Sequence, residues 1–530
     1  MLCDDGLSPP DRRTFLTLTG ISTAAFVLGT GTPAHAAPTT TRAPSDPFQL
    51  GVASGEPTPN SVVLWTRLAP QPRAEDGRAA MPERDYAVHY EVATDERFTD
   101  TVRRGAAVAS PELAHAVHPE VTGLQPGREY FYRFRVGTQL SPVGRTKTAP
   151  PHQGTVDRLR LAMASCQAWY HGHYTAYRDL AEQDLDAVLF LGDYIYENAI
   201  TDDNLWRQGV GLPGAAYAVP AETLAQYRLR YALAKSDPHL RRAHAHAPWI
   251  VTTDDHEVEN NYADRDSRYG ASAEEFARRR AAAYRAWYEN QPVGKRLLPA
   301  GPDMRLYRRL SFGRLAQINV LDTRQYRDPV PADGGEPGGQ HTDPSRSILG
   351  REQEQWLYSG LRDSSATWNV LAQQVVMARI DRDTGAGTSY SMDQWDGFTA
   401  NRRRLFDTLT RHEVANPLVL TGDIHRHAAI DLKADFADPD SATIGTEVVT
   451  TSISSDGDGA ETDRYAPIWL SNDHVDFYAA RRGYVRLTLT HEQAQAEFMT
   501  VDHVEADDRG TVTTAARFVT EAGRPGLQRG

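Results

Sequence analysis

From residue 158 onward, short apolar runs alternate with long helical patterns. A chain written that way is confined to an α/β architecture, with strands buried between helices. The strongest helix spans residues 273–290, where Phe276, Tyr284 and Trp287 fall near one face. Residues 222–234 and 351–361 also read as helices. The chemistry lies in what ends the apolar runs. Leu159-Arg160-Leu161-Ala162-Met163-Ala164-Ser165 ends in Cys166. Ala187-Val188-Leu189-Phe190-Leu191-Gly192 ends in Asp193, with Tyr196 three residues on. Trp249-Ile250-Val251-Thr252-Thr253 ends in Asp254-Asp255-His256-Glu257. Trp368-Asn369-Val370-Leu371-Ala372 ends in Gln373-Gln374, and Leu418-Val419-Leu420-Thr421-Gly422 ends in Asp423-Ile424-His425. The carboxyl ends of strands are where α/β sheets bind ligands. One Asp after a strand ordinarily starts a turn or caps a helix. Five strands that each deliver a ligand-type residue point to a site.

If these residues converge, electrostatics demand a cation. Two carboxylates about 4 Å apart repel by roughly 4 kcal/mol at an effective dielectric of about 20. Three Asp residues and a thiolate do not all stay ionised without counter-charge. A thiolate, a His and a phenolate suit a transition metal, and Tyr phenolate suits ferric iron in particular. Carboxylate and amide oxygens suit Ca²⁺, Mg²⁺ or Mn²⁺. Asp193 is a candidate bridge between two metals about 3.5–4 Å apart, the clamp used in phosphoester hydrolysis.

Ahead of that region, residues 48 to about 148 read as all-β. Ser61-Val62-Val63-Leu64-Trp65-Thr66, Tyr86-Ala87-Val88-His89-Tyr90-Glu91-Val92 and Tyr130-Phe131-Tyr132-Arg133-Phe134-Arg135-Val136 carry period-two patterns rich in β-branched and aromatic residues. Leu124-Gln125-Pro126-Gly127-Arg128-Glu129-Tyr130 is similar to the turn and tyrosine corner of a fibronectin-type sandwich, where a Tyr hydroxyl bonds back to the turn backbone. The expected organisation is a β-sandwich over residues 48–150, for packing or recognition, then a catalytic domain over 155–530 that includes a C-terminal extension. His115 and His118 are expected at the surface.

The N-terminus reads as an address. Asp11-Arg12-Arg13-Thr14-Phe15-Leu16 is a twin-arginine pattern followed by a mild apolar stretch over 16–28, too short and polar for a stable membrane span. Ala34-His35-Ala36 offers a small-x-small cleavage signal. A Tat-type export signal over residues 1–36 and a flexible spacer over 37–47 are expected, although Asp4, Asp5 and Asp11 make the leading region unusually acidic. Export implies the Tat machinery as a partner and a secreted or cell-envelope location. Cleavage would remove Cys3 and leave Cys166 as the single thiol, either a buried filler or a residue with a task. The 57 basic and 70 acidic residues give a net charge of −13, which argues against a general polyanion or nucleic-acid binder but not against an anionic substrate held by metal.

The strand-end blocks resemble the PhoD-type alkaline phosphatases, a branch of the calcineurin-like metallophosphoesterases with phospholipase D-like members. The matching blocks are Ala164-Ser165-Cys166-Gln167, Leu191-Gly192-Asp193-Tyr194-Ile195-Tyr196-Glu197, Asp254-Asp255-His256-Glu257-Val258-Glu259-Asn260-Asn261, Val370-Leu371-Ala372-Gln373-Gln374 and Thr421-Gly422-Asp423-Ile424-His425. The resemblance runs from Gly51-Val52-Ala53-Ser54-Gly55 to near residue 500. It implies a four-layer α/β sandwich metallophosphoesterase domain, preceded by a small all-β fibronectin/Ig-like sandwich, with a dinuclear Fe³⁺/Ca²⁺ site. By that resemblance Cys166, Asp193, Tyr196 and His425 bind the iron, and Asp193 bridges. Asp423 binds the calcium with a residue of the third block: Asp255 is the first choice, with Asp254, Asn260 and Asn261 as alternatives. Gln374 is a further calcium ligand.

Broader metallophosphoesterases have Gly-Asn-His-Glu at the third block and Gly-His-x-His at the last. Asp255 in place of that Asn, and Asp423 in place of the first His, make the second site harder and more anionic, in line with Ca²⁺ rather than Zn²⁺. The implied activity is hydrolysis of phosphate mono- or diesters, phospholipids among the candidates, by a hydroxide held on the metals. Asp255 and His256 are then the catalytic pair of the third block, with His256 beside the phosphate to hydrogen-bond it or protonate the leaving group. His171 and His173, close behind Cys166, are candidate phosphate contacts.

Asp456-Gly457-Asp458-Gly459 resembles the start of an EF-hand, but its twelfth position is Pro467 where a bidentate Glu is required. It is expected to be a loop near the site. His244 and His246 are expected on a surface segment. One rival is a secreted calcium-dependent adhesion or glycan-binding protein, which leaves unexplained a lone Cys at a strand end and Asp-x-x-Tyr in a Gly-Asp turn. The other is a glycosidase with Asp254 and Glu257 as paired carboxylates, which needs no thiolate, Tyr or His ligands.

Overall fold

Runs of Val, Leu and Ala without polar alternation belong in strands covered on both faces, and they lie there in the computed structural model, which describes residues 46–332, 339–438 and 440–530. Leu159–Ala164, Ala187–Phe190 and Pro248–Val251 run parallel, side by side. Ala316–Val320, Trp368–Ala372, Pro417–Thr421 and Thr443–Val449 form a second parallel group. The two groups sit at the hearts of an eleven-stranded and a seven-stranded sheet among the described residues. The sheets pack face to face through Leu161, Met163, Leu189 and Ile250 on one side and Ile318, Val370, Leu418 and Val448 on the other.

The outer face of the first sheet, with Val188, Phe190 and Trp249, is covered by helices Thr175–Leu180, Leu224–Ala234, Pro238–His246 and Ala273–Asn290. The outer face of the second, with Leu371 and Val419, is covered by Gly350–Arg362 and Thr399–Arg411. Helix, sheet, sheet and helix make the expected four layers. The helix expected from residue 222 starts at Leu224 because Thr223 and Gln226 form a reciprocal capping box there.

Ahead of it, strands Tyr86–Ala93, Thr101–Ala109, Glu129–Val136, Gln139–Leu140 and Gly144–Lys147 form a five-stranded sheet. Its Val88, Val92, Tyr132 and Phe134 pack against Val62, Leu64 and Val121 of the facing layer. The tyrosine corner is present: the Gln125 N–H donates to Tyr130 Oη at 2.9 Å. The facing layer, however, is not a separate sheet. Val52–Gly55 pairs antiparallel with Ser61–Arg67 and parallel with Pro248–Val251. The sandwich therefore shares a sheet with the catalytic layers. The change of pattern near residue 150 is not a physical break, and the described residues form one compact unit. On the opposite flank, Gly483–Leu489 pairs with Leu159–Ala164, and Gln493–Val501, Val512–Glu521 and Arg524–Arg529 continue the same sheet.

The expected export signal and nearly all of the spacer lie outside the described residues. Among the described residues no helix is long and apolar enough to cross a membrane.

Several histidines expected at the surface are buried. His118 stacks on Tyr288 of helix Ala273–Asn290, with Nδ1 3.0 Å from the Val293 carbonyl. His115 is buried with Nε2 3.0 Å from the Arg84 carbonyl. His244 lies inside helix Pro238–His246, stacked on Trp249, with Nε2 2.8 Å from Tyr194 Oη. His246 is half-buried against the Gln183 carbonyl. Local pattern misses these because their partners Arg84, Gln183, Tyr194 and Tyr288 lie far from them in the chain.

Candidate metal centre

Three of the parallel strands, Leu159–Ala164, Ala187–Phe190 and Pro417–Thr421, stop in turns that need unusual backbone. Cys166, Asp193, Asp423 and His425 have φ of 57°, 57°, 63° and 57°. This left-handed conformation is uncommon for residues other than glycine, and sparsely populated backbone of this kind costs about 1–3 kcal/mol at each position. Gly192 is needed beside them. At its φ of 103°, a Cβ would come within 2.5 Å of the Asp254 backbone nitrogen. The buried Glu257 carboxylate locks the same junction. It accepts from the N–H groups of Asp193 at 3.0 Å, Tyr194 at 2.7 Å and Asp254 at 2.8 Å.

The turns gather two ligand sets. Donor atoms of Cys166, Asp193 and His425 all lie within 4.8 Å of one another, as do those of Asp193, Asp254 and Asp255. Asp193 belongs to both. Tyr196 joins the first set: its hydroxyl donates to Asp193 Oδ2 at 3.1 Å and lies 3.0 Å from His425 Nε2. His425 Nδ1 is 2.9 Å from Asp456 Oδ2. That contact fixes the tautomer and leaves Nε2 as the ligating atom. Asp456, dismissed with its EF-like loop, thus orients a candidate ligand.

The residues fit cations. Burial, and after it the Asp193 carboxylate, pushes the Cys166 thiol and the Tyr196 phenol well above their usual ranges. Burial also pushes Asp193 and Asp254 up. Such a cluster either holds protons or exchanges them for metal. Asp254 Oδ2 and Asp255 Oδ1 are buried carboxylate oxygens without a hydrogen bond. Thiol, phenol and imidazole on one side of Asp193, and carboxylates on the other, suit cations of different hardness.

The acidic side carries a counter-charge that the strand-end pattern did not reveal. Arg324 is fully buried. Its guanidinium meets Asp254 at 2.5 Å, Asp393 at 2.9 Å and Asp423 at 3.0 Å, and lies 3.3 Å from Asp255. It follows Ala316–Val320, whose run ends in Leu321-Asp322-Thr323-Arg324 by the same grammar as the five blocks. Asp423 also accepts from Gln394 Nε2 at 2.8 Å.

Gln374 corrects an expectation. Its Oε1 accepts from the Thr323 N–H and hydroxyl at 3.1 and 2.7 Å. Its Nε2 donates to Thr252 Oγ1, to Thr253 O and to Leu321 O at 2.9, 2.8 and 3.0 Å. Both ends of the amide are used in tying the two sheets together, so it has no oxygen left for a cation. Asn261 and Asn260 contribute backbone N–H groups, to Asp255 Oδ2 at 2.7 Å and Glu197 Oε1 at 2.9 Å.

His256 lies against Tyr196 with ring centroids 4.2 Å apart, and its Nδ1 is 2.7 Å from Glu197 Oε2. Its backbone N–H reaches Asp193 Oδ1 at 3.2 Å. His171 accepts from the Asp456 N–H at 3.1 Å and stacks on Trp206. His173 is directed elsewhere, to the Gln208 carbonyl at 3.1 Å. It does not join the hydrogen-bonded cluster, because the turn after Cys166 carries it toward the segment around Val504.

Two facing sheets inside helices, with ligand-type side chains gathered at the strand ends, define the metallophosphoesterase class. A purple acid phosphatase from yellow lupin seeds shares this fold, with a TM-score of 0.54 at 12% identity, over 89% of this chain and 73% of that one. Residues 161–498 match the model of the PhoD-like phosphatase family, and residues 34–150 match its N-terminal domain. The chain belongs to the PhoD-like phosphatase family. It is 46% identical over 491 residues to alkaline phosphatase D of Bacillus subtilis (strain 168), covering 92% of this chain and 82% of that protein. A solved structure of PhoD matches with a TM-score of 0.87 at 45% identity, over 92% of each chain.

Proposed function

We propose that the protein is an exported phosphoester hydrolase working through a dinuclear Fe³⁺/Ca²⁺ centre. The observation that carries this is the membership of Asp193 in both ligand sets. Cys166, Tyr196 and His425 would hold the ferric ion with it. Asp255, Asp254 and Asp423 are the candidate calcium ligands. When bound, the two cations polarise the phosphoryl oxygens and lower the pKa of an attacking water. The likeness to a protein named alkaline phosphatase D supports phosphate esters as substrates.

The chain's own side chains supply the rest. Glu197 fixes the His256 ring through Nδ1 and favours the imidazolium, so that Nε2 can deliver a proton to the leaving oxygen. Arg324 balances the carboxylates that would otherwise repel one another. His171, beside Asp456, is a candidate phosphate contact. The twin-arginine pattern and the small-x-small site at Ala34-His35-Ala36 support Tat export to the cell envelope or medium.

Elemental analysis and visible spectra of the purified protein test the centre. Iron and calcium are expected, with a visible band from ferric iron bound to phenolate that Tyr196→Phe removes or shifts. A colourless, zinc-only protein with full activity on nitrophenyl phosphate would overturn the assignment.

A further inference from the structure

A cavity of about 440 Å³ opens directly beside Asp423, His425 and Asp456. That is the size of a site for a small organic molecule and more than a phosphate needs. The cavity lining includes the apolar side chains of Val376, Ile380, Ile424 and Trp469. The carboxylates that reach the cavity are already matched. Asp396 pairs with Arg402 at 2.7 Å, Asp423 with Arg324 at 3.0 Å and Asp456 with Arg426 at 3.8 Å.

Two of the lining arginines are not matched. Arg382 is exposed and makes no side-chain hydrogen bond or ion pair among the described residues. Arg464 is also exposed; it donates to Tyr465 Oη at 2.7 Å and has no carboxylate partner among the described residues. The uncommitted charge of the cavity is therefore positive, in a lining that also holds aromatic and aliphatic side chains.

We propose that this cavity receives the leaving group of the ester, and that it selects an alcohol with a flat or apolar body carrying a further anionic group, a carboxylate or a second phosphate. The inference rests on the phosphoester-hydrolase reading above. The body would pack on Trp469 and Ile424, and the anion would meet Arg382 and Arg464 at the rim. Both arginines are exposed, so replacing them leaves the core intact.

The test compares phenyl phosphate with 4-carboxyphenyl phosphate on the metal-loaded enzyme, each variant measured against wild type on the same ester. Arg382→Ala with Arg464→Ala should lower kcat/KM for the carboxylated ester about tenfold and leave phenyl phosphate nearly unchanged. Trp469→Ala should lower both alike. Calorimetric titration with 4-hydroxybenzoate supplies a readout that needs no turnover, and the double variant should bind it about tenfold more weakly. Equal losses on the two esters, with unchanged binding of 4-hydroxybenzoate, would overturn the proposal. A wild type that cleaves neither ester, yet binds 4-hydroxybenzoate through the arginines, would overturn the hydrolase reading and leave the anion-selecting cavity standing.

Discussion

Replacing His256 by Ala separates proton delivery from metal binding. The side chain makes one polar contact, Nδ1 to Glu197 at 2.7 Å, while the link to the bridging Asp193 runs through the His256 backbone N–H at 3.2 Å, which alanine keeps. Both metals should therefore remain. Glu197, buried with 1% of its side chain exposed, loses its charged partner but keeps the Asn260 N–H on Oε1. Leaving one buried oxygen unpartnered costs about 1–3 kcal/mol, tolerable against a usual stability of about 5–15 kcal/mol. The barrier should rise further. Loss of a general acid lowers the rate roughly 10²–10⁴-fold, or about 3–5.5 kcal/mol. An alkyl alkoxide needs a proton to depart and nitrophenolate does not, so the loss should be large for an alkyl phosphate and small for nitrophenyl phosphate. Rates on both esters, with metal content from the same preparation, decide the matter. Equal losses with both metals intact would refute proton delivery by His256.

Cys166→Ala should empty the first metal site while the unfolding midpoint shifts little, since the lost volume costs on the order of 1 kcal/mol; full iron with normal turnover would return Cys166 to the role of core filler. His118 gives a pH prediction away from the centre. Burial depresses its pKa from 6.5 to about 4, so the stability its neutral ring contributes is complete above pH 6.5 and is lost as pH falls toward 4, by about 3 kcal/mol. His118→Gln should flatten that decline in urea unfolding, and parallel declines in the two proteins would contradict it. Arg12→Lys with Arg13→Lys should leave folded enzyme in the cytoplasm, and normal secretion of the pair would remove the Tat assignment.

The α/β alternation was legible because the buried strands are short apolar runs set between helical patterns, whereas the four-layer arrangement was implied by the family resemblance. Strand-end residues supply most of the candidate centre because, in a parallel sheet, the residue after the run sits at the carboxyl edge. What stayed hidden came from longer-range chemistry. Gln374 stands in the right place but spends its amide on Thr323 and Thr252, which sequence cannot show. Arg324 looked like one arginine among many until four carboxylates surrounded it. Asp456 belonged to a loop judged only by a calcium-binding template it fails. The buried histidines went unseen because local pattern does not show which distant segment, such as those around Arg84, Tyr194 and Tyr288, closes over them.

The shared sheet bears on how the molecule can be assembled and truncated. Val52–Gly55, near the start of the described chain, flanks the strand that leads to Asp254 and Asp255, and Gly483–Leu489, near its end, flanks the strand that leads to Cys166. The strands Leu159–Ala164, Ala187–Phe190 and Pro248–Val251 are thus flanked on one side by an early strand of the described chain and on the other by a late one. Contacts of such long sequence separation make folding slow and place its completion after synthesis of the final strands. The ligand turns should therefore become rigid together and late. A truncation that removed residues up to 150 would strip backbone hydrogen bonds from Pro248–Val251, leaving an exposed strand edge open to pairing with another chain.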